Sequence, residues 1–305
     1  MAPKSEHNTA PIIALVTGAS GQLGRSFANI ASQWPSVQFH FFDSTKLNIT
    51  DAKQVEAEIK TLEPDVLINC AAYTAVDKAE QNESSCHQVN AEGSLILANA
   101  CRKSGVLLFH YSTDYVYHSI NDRPLKEEDQ TVPQGVYARS KRKGEQHIKM
   151  SNAKAIIMRT SWVYSEYGNN FVKTMLRLAE TRDQLTIVDD QIGAPTYATD
   201  IATASLKIIH QVLTKEVDFD TSMLINYAGA GQISWKDFAE EIFAQAKLSM
   251  QIEPTTTVEY GAPAARPLWS VLDMTKLKTI FGIAPRYWKE SLQECLLGLV
   301  TTKTH

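Results

Sequence analysis

Cysteine is scarce in this chain of 305 residues, and Cys70, Cys86, Cys101 and Cys295 form no CxxC pair. No histidine cluster supplies metal-ligand spacing either, which argues against structural zinc and fits a reducing cytoplasm. A basic excess is also missing: 30 Lys and Arg against 34 Asp and Glu leave a formal charge of −4. Proteins that hold nucleic acid by its backbone phosphates carry the opposite imbalance, so no nucleic-acid partner is expected. No run approaches the ~18–20 apolar residues of a membrane span. Residues 1–10 are polar, lack the apolar centre of a signal peptide, and read as a disordered tail. There is no internal repeat and no low-complexity stretch. With 44% hydrophobic residues the chain is too apolar for intrinsic disorder and long enough for a sizeable core.

What is present is a rhythm. Ile12 to Thr17 is a short, apolar, partly β-branched run that reads as a buried strand. Glycines follow, then a helical stretch over Gln22 to Trp34. Further strands are expected at Val37 to Phe42, Asp65 to Asn69, Val106 to Tyr111 and Ala155 to Met158. Helices are expected between them, over Ala52 to Leu62 (capped by Asp51), Glu83 to Lys103 and Val136 to Met150. Short strands alternating with longer helices specify an α/β fold: a doubly wound parallel sheet of Rossmann type. After about Asp190 the rhythm becomes irregular, with Pro195, Pro254, Gly261, Pro263 and Pro267. The expected organisation is a cofactor domain at 11–190 and a smaller substrate lobe at 191–300, some of whose segments return to the first.

Three local patterns carry chemistry. Gly18-Ala-Ser-Gly21-Gln-Leu-Gly24 leaves the first strand and opens a helix. In that setting Gly18 allows a tight turn, Gly21 lets the backbone approach a pyrophosphate at the helix N-terminus, and Gly24 allows close helix–strand packing. Asp43, at the end of the second strand, is placed to accept from the ribose hydroxyls of NAD or to close a turn; Ser44, Thr45 and Lys46 beside it suit a 2′-phosphate, so the choice between NADPH and NADH stays open. Tyr137-Ala-Arg-Ser-Lys141 sets a phenol and an ammonium on one helix face, where the cation is expected to lower the phenol's pKa. Such spacing also arises by chance in a chain with 11 tyrosines, and its position after the fourth strand is what gives it weight. Tyr111-Ser-Thr113-Asp114 leaves that strand at its carboxyl end, where a hydroxyl can bind a carbonyl oxygen or merely cap a turn.

Longer segments narrow this. Asn69-Cys-Ala-Ala-Tyr-Thr-Ala-Val-Asp-Lys-Ala-Glu80, His110-Tyr-Ser-Thr-Asp-Tyr-Val116, Arg159-Thr-Ser-Trp-Val-Tyr164, Gly168-Asn-Asn-Phe171, Asp190-Gln-Ile-Gly-Ala-Pro-Thr196 and Arg266-Pro-Leu-Trp-Ser270 resemble the dTDP-4-dehydrorhamnose reductase family, an extended branch of the short-chain dehydrogenases/reductases. Trp269 stands where that family usually has Asn. The resemblance implies NAD(P)H-dependent reduction of the C4 keto group of a dTDP-linked 4-keto-6-deoxy sugar. It implies that Tyr137 donates the proton, that Lys141 binds the nicotinamide ribose, and that Thr113 holds the carbonyl oxygen. It extends cofactor contacts to Ser20, Gln22, Leu23, Ala71, Ala72 and Tyr73. It points to Val76, Asp114, Tyr115 and Trp162 at the sugar, and to Asn170, Arg177 and Arg266 at the nucleotide diphosphate. The bland alternatives are a core aromatic for Trp162 and solvated charges for the two arginines. Asn90 matches a position with a structural role. Some family members form dimers bridged by magnesium through glutamates; Ser26 and Thr199 stand at the matching positions, so no metal is expected, and the chain is expected to be a monomer or a homodimer without that bridge. Two alternative functions share these motifs: a 4-ketoreductase of another nucleotide sugar, and a non-catalytic subunit like the regulatory β subunit of methionine adenosyltransferase.

Overall fold

The computed structural model describes residues 10–118 and 123–302. Apart from Ala10, the tail expected at residues 1–10 lies outside them. The first half of the chain alternates β1 (Ile12–Thr17), α1 (Gln22–Ile30), β2 (Val37–Phe42), α2 (Ala52–Leu62), β3 (Val66–Asn69), α3 (Val76–Ala79), α4 (Glu83–His87), α5 (Gly93–Ser104), β4 (Leu107–Thr113), α6 (Gly135–Ser151) and β5 (Ala155–Thr160). The second half is less regular: β6 (Val163–Tyr164), α7 (Phe171–Ala179), β7 (Gln184–Val188), β8 (Ile192–Gly193), β9 (Thr196–Tyr197), α8 (Ala198–Leu213), β10 (Ser222–Asn226), β11 (Ile233–Ser234), α9 (Trp235–Ala246), β12 (Gln251–Thr255), α10 (Thr257–Tyr260), α11 (Thr275–Phe281) and α12 (Trp288–Thr302).

Six strands form one parallel sheet in the order β2-β1-β3-β4-β5-β10. Its central strands carry apolar runs on both faces because both faces are covered, with polar residues gathered toward their carboxyl ends. Ala14, Val16, Ile68, Phe109 and Met158 pack against Phe27 and Ile30 of α1 and Ile201 and Ile208 of α8. Their neighbours Leu15, Leu67, Leu108 and Ile157 point the other way, onto Val55 and Ile59 of α2, Leu97 of α5 and Ile148 of α6. Chain order reverses between β1 and β3, the switch point at which open α/β sheets bind ligands. The sixth strand, β10, arises in the stretch that reads as irregular and docks on β5.

A second body of packing joins Tyr164, Val172, Met175, Leu185 and Ile187 to Phe238, Ile242, Trp288 and Leu292. It is bound by the short strand pairs β7–β12, β8–β11 and β6–β9. The expected helix over Glu83 to Lys103 is divided by a π turn at Gln88–Glu92. There the hydroxyl of Ser94 donates to Asn90 O at 2.7 Å. Helix α6 lies so close that a Cβ on Gly144 would come within 2.3 Å of the same carbonyl oxygen. Overpacking of this kind costs about 1–3 kcal/mol, against ~1 kcal/mol of helix propensity gained by replacing glycine. Gly144→Ala is therefore expected to lower Tm; a variant at least as heat-stable as the parent would show that the two segments part without cost.

Candidate active site

The glycine loop occupies the switch point. Gly18 has φ +65°, and a Cβ there would sit 2.5 Å from Ala71 N; a Cβ on Gly24 would sit 2.4 Å from Gly18 O. Both positions therefore demand glycine. Gly21 is the N-cap of α1, with no side-chain cap and no acidic residue in the first turn. Ser20 and Gly21 are exposed, and Gln22 and Leu23 half-buried. Uncapped amides at a helix N-terminus attract an anion, so the loop fits a dinucleotide pyrophosphate. Gln22 reaches out of the loop: its Oε1 accepts from Ser165 Oγ at 3.0 Å and Asn170 Nδ2 at 2.9 Å. At the end of β2, Asp43 Oδ1 accepts from Thr45 N, Thr45 Oγ1 and Lys46 N, and the Thr45 bonds hold its carboxyl below the usual range. Asp43 thus closes a turn whose exposed edge carries Lys46.

The opposite wall of the cradle is the run after β3. Asn69 Oδ1 accepts from Ala71 N at 3.1 Å and from Thr17 Oγ1 at 2.7 Å. Its amide nitrogen therefore faces His110 Nδ1 at 3.0 Å, which leaves the imidazole proton on Nε2. Burial, with the charge of Lys141 added, keeps His110 well below the usual histidine pKa and hence neutral. Ala72 is half-buried in this run. Asn90 clasps Tyr73 from both sides, accepting from its N at 2.8 Å and donating to its O at 3.0 Å, and also donates to Ser140 Oγ on α6 at 3.0 Å. The structural role expected for Asn90 is thus the tie between cofactor wall and catalytic helix.

Tyr137, Lys141 and Thr113 come together where β4 meets α6. Glu80 Oε1 accepts from Val136 N at 2.7 Å and so fixes the start of α6. Lys141 is 3% exposed and donates to Tyr111 O at 2.6 Å. Burial lowers its pKa to about 8, opposed by Glu145 one helical turn on and by Cys86. The Thr113 hydroxyl faces the phenol of Tyr137, donates to Asp114 Oδ1 at 3.0 Å and accepts from Tyr115 N at 3.3 Å, capping the short turn Asp114–Val116. The expectation that the lysine lowers the phenol's pKa is corrected: burial pushes Tyr137 up, and the group that lowers it is Thr113. The Lys141 ammonium is engaged by a backbone carbonyl, so its field does not outweigh the loss of water around the phenol.

Below them lies a buried ion pair that sequence reading missed. Arg159 on β5 is 1% exposed and grips Glu145 of α6 with Nε at 2.8 Å and Nη2 at 2.7 Å. Its Nη1 donates to Tyr117 OH at 2.8 Å and to Glu127 O at 3.2 Å. Burial alone would raise Glu145; the Arg159 bonds reverse this and hold its carboxyl below the usual range.

On the substrate side the arginines separate. Arg266 is engaged within the chain: it forms a bidentate pair with Asp77, next to Val76, at 3.0 and 2.8 Å. Asp77 also accepts from Ala264 N at 3.3 Å, so α3 and the segment 264–266 are strapped together, with both charges of the pair felt at Tyr115. Tyr115 packs edge-on against Tyr137 with centroids 5.6 Å apart. Arg177 is exposed in the last turn of α7, an element that packs on α9. Asn170 caps α7, accepting from Lys173 N at 3.1 Å, and its amide is taken by Gln22, Ser165 O and Tyr167 O. It thereby braces the glycine loop. Trp162 has φ +47°, stacks on Trp235 at 3.5 Å and 8°, and lies so close to Gly193 that a Cβ there would strike its ring at 2.4 Å. Trp235 gave no signal beyond its aromatic type. Asp77 and Glu80 did stand in a motif, but nothing local named their partners, Arg266 and Val136, which are distant in sequence.

Comparison with known proteins places this arrangement. A family model described as the RmlD substrate binding domain matches residues 13–300. A curated dTDP-4-dehydrorhamnose reductase of Aggregatibacter actinomycetemcomitans is 41% identical over 286 residues, covering 92% of this chain and 96% of that protein. Among solved structures, a dTDP-4-dehydrorhamnose reductase of Bacillus anthracis in complex with NADP aligns with TM-score 0.88 at 34% identity, covering 94% of this chain and 99% of the other. One from Clostridium acetobutylicum aligns with TM-score 0.88 at 38% identity, covering 95% and 100%.

Proposed function

Because the chain belongs to the RmlD family, whose curated members include dTDP-4-dehydrorhamnose reductases, we propose that it reduces the C4 keto group of dTDP-4-dehydro-L-rhamnose to give dTDP-L-rhamnose, with NADPH or NADH as cofactor. The observation that carries this reading is the convergence of Thr113, Tyr137 and Lys141 beside a glycine loop with an uncapped helix N-terminus. When bound, the nicotinamide supplies the hydride. Gly18, Ser20, Gly21, Gln22, Leu23 and Gly24 hold its pyrophosphate, and Ala71, Ala72 and Tyr73 form the facing wall. Asp43, with Lys46 beside it, borders the adenosine ribose, and Lys141 the nicotinamide ribose.

Thr113 donates to the ketone oxygen and steadies the charge that develops there, and Tyr137 protonates it. A raised phenol pKa serves this role, because Tyr137 keeps its proton across the working pH range. Val76, Tyr115 and Trp162 border the sugar, Trp162 held rigid by Trp235 and Gly193. Arg266 serves the diphosphate by leaving Asp77, and Arg177 lies further out. Cofactor binding falls to the body built on the six-stranded sheet and sugar-nucleotide selection to the smaller body. The four cysteines make no disulfide, consistent with a cytoplasmic enzyme. Buried Ser26 spends its hydroxyl on Gln22 O, and neither it nor Thr199 offers a carboxylate, so we assign a monomer, or a homodimer without a magnesium bridge.

The test is turnover of dTDP-4-dehydro-L-rhamnose by purified protein, followed at the nicotinamide absorbance with each cofactor. The expected result is turnover of this sugar in preference to UDP- or GDP-linked 4-keto sugars. Turnover of one of those alone would make the protein a different ketoreductase. No turnover of any, with capture of a methionine adenosyltransferase catalytic subunit, would make it a regulatory subunit.

A further inference from the structure

Each reduction leaves Tyr137 as a phenolate, and the proton must be replaced. On the reductase reading, the product lies against the cleft side of the phenol. Its other neighbour is Thr113, whose hydroxyl donates to Asp114 Oδ1 at 3.0 Å. Asp114 is 2% exposed, and its Oδ2 is buried without a hydrogen bond of good geometry. Among the described residues no basic side chain pairs with it, and the Ser270 hydroxyl lies beside the carboxyl group. A buried carboxyl group in that position is placed to hold a proton rather than to bind the face of a sugar.

We propose that Asp114 is the proton reservoir of the reductase, returning a proton to Tyr137 through the Thr113 hydroxyl. The inference rests on the reductase reading above. In the step, the Thr113 hydroxyl, which donates to Asp114 Oδ1 here, turns to Tyr137 once that carboxyl carries a proton; its O–H bond breaks as one forms on the Tyr137 oxygen, while the Asp114 carboxyl proton passes to Thr113 Oγ1. One proton moves in net from Asp114 to Tyr137, no electron is transferred, and the Asp114 carboxylate regains its proton from solvent before the next turnover. Burial raises the Asp114 pKa to about 6, opposed by Ser270 and Thr113, which puts the proton within reach near neutral pH. The titratable groups that face it are Tyr115 on its own turn and Tyr137 on α6; Asp77 and Arg266 face Tyr115. Asp114 acts through Thr113 and is in that sense a positioning residue.

The experiment compares first and later turnovers of Asp114→Asn. The first uses the proton already on Tyr137, so its rate is expected to fall no more than about 2-fold, while steady-state kcat falls at least ~10-fold, giving a burst of one cofactor oxidised per site. A second variant, Ser270→Ala, keeps the relay but removes a group that favours the carboxylate. The pH above which kcat declines is expected to move up, together with the infrared titration of the Asp114 carboxyl in the unliganded protein. Equal loss in both phases, no loss in either, or an unmoved pH limb in Ser270→Ala overturns the relay alone. A wild-type protein that turns over no 4-keto nucleotide sugar overturns the reductase reading, and the relay with it.

Discussion

Tyr137→Phe is expected to lower kcat by about 10²–10⁴-fold, the range for loss of a positioned proton donor. That is roughly 2.7–5.5 kcal/mol of transition-state stabilisation at ~1.36 kcal/mol per tenfold. The substitution removes one oxygen and keeps the ring, so the edge-on contact with Tyr115 and the packing against Val136 and Cys86 survive. Cofactor binding should survive too, because the glycine loop and the Ala71–Tyr73 wall are built without the phenol. The loss should therefore lie in kcat, in the first turnover as well as in the steady state, with little change in cofactor affinity. The pH profile adds a sign. With its pKa raised by burial, Tyr137 does not titrate in the neutral range; Lys141, lowered to about 8 by burial, does. The wild-type first-turnover rate should decline above about pH 8 as the ammonium is neutralised, whereas the steady-state rate is limited earlier, by the protonation of Asp114. Unchanged turnover in Tyr137→Phe would remove Tyr137 from the mechanism.

The second large effect concerns stability. Glu145→Gln is expected to cost about 3–5 kcal/mol, the range for breaking a buried ion pair by removing one partner. The side chains of Arg159 and Glu145 are 1% and 0% exposed, so the guanidinium left behind has no water to turn to. A glutamine can accept one of its two bonds but cannot balance its charge. In a chain of this size such a loss lowers Tm by something on the order of 10 °C. The glutamate's pKa is depressed in the folded state, so the pair's contribution is fully present at neutral pH. It is lost only as pH falls through the folded value, below the ordinary carboxylate range, and the gap between variant and parent should narrow there. The pair Arg123–Asp129, whose arginine is 51% exposed, gives the contrast: a bidentate pair open to solvent should be worth at most ~1 kcal/mol. A Glu145→Gln variant as heat-stable as the parent would show that water reaches Arg159 and that the pair does not anchor α6.

Not everything in the site was equally legible. The glycine loop, the Tyr–Lys helix and the strand-end Thr113 are short-range patterns, fixed by a strand-to-turn-to-helix succession within a few residues. The partners that engage Arg266 and Asn170 within the chain were not legible. Each carries a side chain suited to a ligand, and in the fold each is engaged by a partner, Asp77 for one and Gln22 for the other. The phenol's pKa ran against expectation for a related reason. The cation four residues away is visible in sequence, but the burial that outweighs it belongs to the packing of β4 on α6.

By itself the sequence determined the α/β class, the strands β1 to β5, the capped helix α2 and the presence of a dinucleotide loop. These follow from periodicity and from turn residues, which act over a few positions. Only the tertiary structure decided that β10 completes the sheet, that Arg159 and Glu145 bind the catalytic helix to β5, and that Thr113 joins Tyr137 to a buried Asp114. Those pairings depend on desolvation and on contacts between elements remote in sequence. Neither quantity exists until the chain has closed around them.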